Sequence, residues 1–155
     1  MKSRHDMITV FVVRPDESGV SQEFLQLHRV PEDYLGNTWQ FVRGSVDEGE
    51  TFLSGALREL REETGLTPRE FYRLGAVESF YTAVDDTLWH SVAFCAIVDC
   101  QQEVQLNDEH DAFRWVPRNQ LDPQLMWASE RALLPDLCRD ILDNSIAKPH
   151  LRLEI

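Results

Sequence analysis

An α/β domain, with a mixed β-sheet flanked by helices, is the fold class that three features of this 155-residue chain predict. Short segments rich in β-branched and aromatic residues recur along it, separated by turn-forming clusters. One segment, Gly44 to Leu66, switches from a period of two to the period of a helix. A last stretch, from Pro123 onward, returns to helical spacing of Leu, Met and Trp. With 43% hydrophobic and 27% charged residues the chain can bury a sizeable core, and one domain over residues 1–155 is expected.

In chain order, "MITVFVV" (Met7 to Val13) and "EFLQLHR" (Glu23 to Arg29) read as strands. The intervening "RPDESG" supplies turn residues, so the pair reads as a hairpin. "TWQFVRG" is a short strand, followed by a helix from about Thr51 to Thr64 that Gly65 closes. "FYRLGAVESFYT" and "WHSVAFCAIVDC" read as two strands around the turn "AVDD", and "DAFRWVP" as another. From Pro123 a late helix runs on, with Pro135 kinking it or starting a second piece. No internal repeat or low-complexity tract is present.

Charge narrows the partners. Against 27 acidic residues stand 15 basic ones, a formal net charge of -12. A sequence-independent grip on a long nucleic acid needs a basic face, so such a partner is not expected. A small phosphorylated ligand is compatible, because divalent ions reverse the sign of a local field. The cysteines Cys95, Cys100 and Cys138 form no close pair, suggesting neither a disulfide framework nor a zinc site. No run approaches the roughly 18 apolar residues of a membrane span. The expected setting is a reducing cytoplasm, without membrane attachment.

The segment "GSVDEGETFLSGALRELREETGL" adds six carboxylates to an already acidic chain. At 3.6 residues per turn, Phe52, Leu53, Ala56, Leu57 and Leu60 share one arc, the face expected to pack on the sheet. With Phe52 at zero, Glu63 falls at about 20°, Glu59 at about 340° and Glu62 at about 280°. The three therefore line the edge of the buried arc, where uncompensated charge is expensive. Like-charged Glu59 and Glu63 stand four apart, destabilising by a few tenths of a kcal/mol unless a cation intervenes. A hard divalent ion with oxygen ligands would resolve the conflict.

The spacing resembles the Nudix box, G-x5-E-x7-R-E-U-x-E-E-x-G-U with U aliphatic, and every specified position matches, from Gly44 through Glu50 and Arg58 to Leu66. The resemblance implies the Nudix fold, an α/β/α sandwich, holding Mg²⁺ (or Mn²⁺) and hydrolysing a nucleoside diphosphate linked to another moiety. Glu59, Glu62 and Glu63 match its metal ligands, Glu50 an auxiliary carboxylate, and Arg58 the cation that orients Glu50. Gly44 and Gly65 match structural glycines.

Outside the box, "TWQFVRGS", where many members carry Pro-Gly-Gly, is similar to the dihydroneopterin triphosphate pyrophosphatases. "NDEHDAFRWVP" and "MWASERALL" resemble segments of the same subgroup. This likeness places Glu109 as a further metal-binding or base carboxylate, and Arg29, Gln40 and Arg43 as substrate-binding residues. Dinucleoside polyphosphates and other nucleoside triphosphates are competing substrates. The implied partners are a small phosphoanhydride and, at most, a second copy of the chain in a homodimer.

The implied chemistry is attack of water on phosphorus, with Glu63 or Glu109 as base and pyrophosphate leaving from a triphosphate. Five residues are thus candidates for a catalytic part: Arg58, Glu59, Glu62, Glu63 and Glu109. The histidines His28, His90 and His110 lack metal-ligand spacing and receive no role. A non-catalytic nucleotide-binding module is the alternative from another class, opposed by the full complement of box carboxylates. A calcium-binding loop is opposed by the absence of Asp-x-Asp-x-Asp-Gly.

Overall fold

The computed structural model describes residues 1–155. Its strands are β1 (Lys2–Pro15), β2 (Gln22–Arg29), β3 (Trp39–Gln40), β4 (Val42–Ser45), β5 (Glu70–Arg73), β6 (Glu78–Thr82), β7 (Thr87–Ile97), β8 (His110–Pro117) and β9 (Arg152–Leu153). The helices are α1 (Phe52–Thr64), α2 (Ala128–Leu137) and α3 (Lys148–Leu151). All strands join one mixed sheet, in which β1 and β7 run parallel and the other pairings are antiparallel.

Central β1 explains the layering. Ile8, Val10 and Val12 pack in one apolar cluster with Ala56 and Leu60 of α1. Alternate residues Phe11 and Val13 pack in the other, with Leu133, Leu134 and Leu137 of α2. A strand buried on both faces reads as a continuous apolar run, as "MITVFVV" does. The expected sheet flanked by helices is therefore the observed architecture. No helix is long and apolar enough to cross a membrane.

Several boundaries differ from expectation. The β1–β2 hairpin forms, but only Val13 to Pro15 pair with β2, while Met7 to Val10 pair with β4. β1 starts at Lys2 because β7 offers its start, Thr87 to Trp89, as a parallel partner. "FYRLGAVESFYT" is interrupted between β5 and β6, and both halves pair with β7. The late helix begins at Ala128, after short 3₁₀ turns, and Pro135 lies inside it. Having no N–H to donate, Pro135 precedes a wide π-turn over Cys138–Leu142.

Helix α1 has well-made ends. Thr51 and Ser54 cap each other's backbone amides at the start. Gly65 adopts φ 69° at the end, and its N–H reaches Arg61 O at 2.8 Å. Fully buried Leu60 contributes about 2 kcal/mol of hydrophobic stabilisation. Phe52 departs from the wheel: it is 39% exposed, while its neighbour Leu53 packs against the apolar cluster.

Candidate active site

Strand β4, the loop after it and helix α1 bring the box together around Arg58. Its Nε donates to Glu50 Oε1 at 2.8 Å and its Nη2 to Glu50 Oε2 at 2.9 Å, a two-pronged grip. Nη1 donates to Glu59 Oε1 at 2.8 Å and Glu62 Oε2 at 3.3 Å, and Nη2 also to Ser45 O at 2.9 Å. The Arg58 guanidinium, helped by the Asp47 amide, pulls the Glu50 carboxyl down to about 2. Glu50 and Glu59 in turn push Arg58 above the usual arginine range.

The three α1 carboxylates lie at three depths. Glu62 is 54% exposed, Glu59 is half-buried, and Glu63 is 2% exposed, fully inside rather than on the edge the wheel implied. Glu63 Oε2 is buried without a hydrogen-bond partner. Burial, followed by the charges of Glu59 and Glu109, pushes the Glu63 carboxyl up to about 9. The main-chain amide of Arg43 and the charge of Arg29 oppose that push. Glu59 is raised too, first by burial, against the pull of Arg58.

An unpartnered buried carboxylate oxygen, pressed by two further carboxylates, is the arrangement a divalent cation would relieve, so the residues present suit Mg²⁺ or Mn²⁺. They are not drawn into a tight cage: no three acidic, histidine or cysteine side chains stand in metal-holding geometry. Arg58 accounts for the looseness, since it turns Glu59 and Glu62 toward itself. Gly44 accounts for the closeness of Glu59 to β4. A Cβ on Gly44 would stand 2.2 Å from Glu59 Cδ.

The other predicted residues are spread around this centre. Glu109, just before β8, accepts from Asn107 Nδ2 at 3.1 Å, and its charge reaches both Glu59 and Glu63. Arg29, at the end of β2, lies 3.6 Å from Asp33 through Nη2, while its buried Nε has no partner. Gln40 donates to Thr38 Oγ1 at 2.9 Å. Arg43 points inward to Glu78 and Glu130.

Three buried polar residues received no role from the sequence. His110 is 5% exposed with Nδ1 unpartnered, and it pairs with Arg29 across the bulge between β2 and β8. Burial pushes its imidazole below the usual range. Glu78 and Glu130 are buried carboxylates on β6 and α2. The available signal was a carboxylate standing inside an otherwise apolar pattern, in "GAVESFYT" and "MWASERALL".

The chain resembles the mouse bis(5'-nucleosyl)-tetraphosphatase [asymmetrical], 36% identical over 83 residues, which cover 50% of this chain and 54% of that protein. It is 33% identical over 109 residues to the putatively assigned 8-oxo-dGTP diphosphatase 3 of Mycobacterium tuberculosis, covering 70% of this chain and 49% of that one. Its fold is that of a Caenorhabditis elegans Ap4A hydrolase, with a TM-score of 0.71 at 21% identity over 90% of this chain and 96% of the other. The chain spans about half or less of the length of the curated relatives it matches. The NUDIX domain family matches residues 4–137, the span that carries the whole box, its supporting sheet and α2, and the chain belongs to that family.

Proposed function

We propose that this protein is a divalent-metal-dependent Nudix pyrophosphohydrolase, cleaving a phosphoanhydride in a small molecule that joins a flat ring to a polyphosphate chain. The observation that carries the reading is Glu63, buried inside a complete box with one carboxylate oxygen unpartnered and pressed by the charges of Glu59 and Glu109. Bound Mg²⁺ or Mn²⁺ would supply Lewis acidity toward phosphate oxygens and a more acidic water. Glu59 and Glu63 would hold the ion, with Glu62 and Glu50 as outer carboxylates. Arg58 keeps Glu50 and Glu59 in place through its short contacts. Glu63 or Glu109 accepts the proton of the attacking water. Arg29 offers a donor to a phosphate oxygen, and Gln40 one to the ring or ribose.

The relatives support a nucleoside polyphosphate: a bis(5'-nucleosyl) tetraphosphate for the mouse protein, Ap4A for the worm protein and 8-oxo-dGTP for the mycobacterial one. The segments "TWQFVRGS", "NDEHDAFRW" and "MWASERALL" support a pterin triphosphate instead. Both share a polyphosphate chain and differ in the ring. Discrimination should therefore appear in kcat/KM, because a site built for one ring's edge leaves polar groups unpaired with another.

The test is chromatographic measurement of the products formed under identical Mg²⁺ from dihydroneopterin triphosphate, dATP, 8-oxo-dGTP, diadenosine tetraphosphate and ADP-ribose, since the last two split into two organic phosphates and release no pyrophosphate. Turnover of at least one polyphosphate, abolished by EDTA, is expected. A diadenosine tetraphosphate value tenfold above the pterin's would reject the pterin substrate and leave the hydrolase reading intact. Tight binding without turnover of any compound would make the protein a nucleotide-binding module.

A further inference from the structure

On the α2 face of the sheet, Arg43 is enclosed by carboxylates that the reaction does not use. Its Nη2 donates to Glu78 Oε1 at 2.9 Å and lies 3.4 Å from Glu130 Oε1. Glu78 also accepts from Thr9 Oγ1 at 2.9 Å and Ser129 Oγ at 2.8 Å. Thr9 Oγ1 in turn lies 3.0 Å from Ser91 Oγ. Glu78 is 1% exposed and Glu130 4%. The network thus ties β1, β4, β6 and β7 to the first turn of α2.

Stability alone is a poor reason for such a cluster, since buried ion pairs often contribute no more than apolar packing of the same volume. What it fixes is the backbone of β4. The main-chain amide of Arg43 faces the Glu63 carboxylate. The next residue, Gly44, lies flat against Glu59, with room for no side chain between them. Both deep carboxylates of the candidate metal centre therefore rest on adjacent peptide units. The side chain of the first is held by Glu78 and Glu130.

We propose that Arg43, Glu78 and Glu130 form a latch that seats the Arg43–Gly44 backbone against Glu63 and Glu59, so that Glu78 and Glu130 are positioning residues for metal binding. The proposal rests on the metal-dependent reading of the same site, and it assigns the Arg43 side chain an internal task rather than a hold on substrate. Partners that orient metal-binding groups without touching the ion typically change affinity or activity by about 10- to 100-fold when replaced.

The experiment is a titration of the full chain with Mn²⁺ alone, followed by electron paramagnetic resonance. Glu78→Gln is expected to weaken Mn²⁺ binding about tenfold. Ser129→Ala, which removes one donor to Glu78, should shift affinity in the same direction by less. Leu133→Ala, in the same helix, is the control: it should lower the melting temperature and leave Mn²⁺ affinity unchanged. A cooperatively melting Glu78→Gln variant with wild-type Mn²⁺ affinity overturns the latch. If Glu78→Gln does not fold, wild-type affinity in Ser129→Ala overturns it. Because the probe is the metal, the titration decides the latch even if no substrate is turned over. Failure of hydrolysis would count against the proposed function alone.

Discussion

Two arginines, each outnumbered by carboxylates, lie on either side of β4, and they are treated differently. Arg58, on the α1 face, meets Glu50, Glu59, Glu62 and Asp47 where water can reach most of them. Arg43, on the α2 face, meets Glu78 and Glu130 in the interior. Around Arg43, protein hydroxyls from Thr9 and Ser129 complete the hydrogen bonding of Glu78. Burial pushes the Glu130 carboxyl up to about 7, so a proton can offset the surplus charge. Around Arg58 the surplus is left open, and one oxygen of nearby Glu63 has no partner at all. A closed charge imbalance is a structural element, whereas an open one is a place for a ligand.

The largest expected effect breaks the open side. Glu63→Gln keeps shape and removes charge, and kcat on the best of the polyphosphate substrates should fall by about 10²- to 10⁴-fold, the range for losing a positioned proton acceptor or its metal equivalent. Steady-state assays at saturating Mg²⁺ measure this. A kcat within threefold of wild type would remove Glu63 from the centre.

The closed side should instead register in stability. The folded Glu130 carboxyl, raised from 4.5 to about 7, binds its proton more tightly than the unfolded one. Its contribution is therefore complete below pH 4.5 and is lost as pH rises toward 7, of order 3 kcal/mol at about 1.4 kcal/mol per unit. Glu130→Gln cannot titrate. Relative to wild type it should gain stability between pH 5 and pH 8 in denaturant melts, and a pH-independent difference would refute the assignment.

Gly44→Ala tests the surface on which Glu59 rests. The added Cβ, 2.2 Å from Glu59 Cδ, must push that side chain off β4. Mn²⁺ affinity should drop by about tenfold or more. Overpacking should cost about 1–3 kcal/mol in thermal unfolding. Unchanged Mn²⁺ binding would show that Glu59 finds its place without the glycine.

Legibility in the sequence followed the range of the interactions. The box and the close of α1 at Gly65 depend on residues within a few turns of one another, and spacing alone exposes them. The strand character of "MITVFVV" was legible in the same way. The depth of Glu63 was not, because a helical wheel assigns an angle and says nothing of how far the sheet extends beneath each turn. The same limit misplaced Phe52 in the core. Glu78 and Glu130 were illegible because Arg43 lies 35 and 87 residues from them in the chain. The extension of β1 through "KSRHD" is likewise set by its distant neighbour β7, not by its own pattern.

The smallest expected effect concerns Glu63 without metal, and it separates a ligand in waiting from a structural group. Burial and the neighbouring charges of Glu59 and Glu109 hold its carboxyl at about 9, so at pH 7 it is protonated and neutral in the metal-free protein. Gln is then close in both shape and charge. Being neutral, Glu63 has no like-charge conflict with Glu59 for the variant to relieve, but at pH 7 folding must return to it a proton that the unfolded carboxylate has lost, a cost that Gln does not carry. In EDTA at pH 7, Glu63→Gln should therefore melt at or above the wild-type temperature. Mg²⁺ should raise the wild-type melt, since a ligand that binds only the folded state stabilises it, and should leave the variant nearly unmoved. A wild-type carboxyl that must lose its proton to bind the ion also predicts proton release, visible as a buffer-dependent binding enthalpy in calorimetry at pH 7. A metal-free variant that melts many degrees lower would make Glu63 part of the scaffold, and the contrast between the two sides of β4 would collapse.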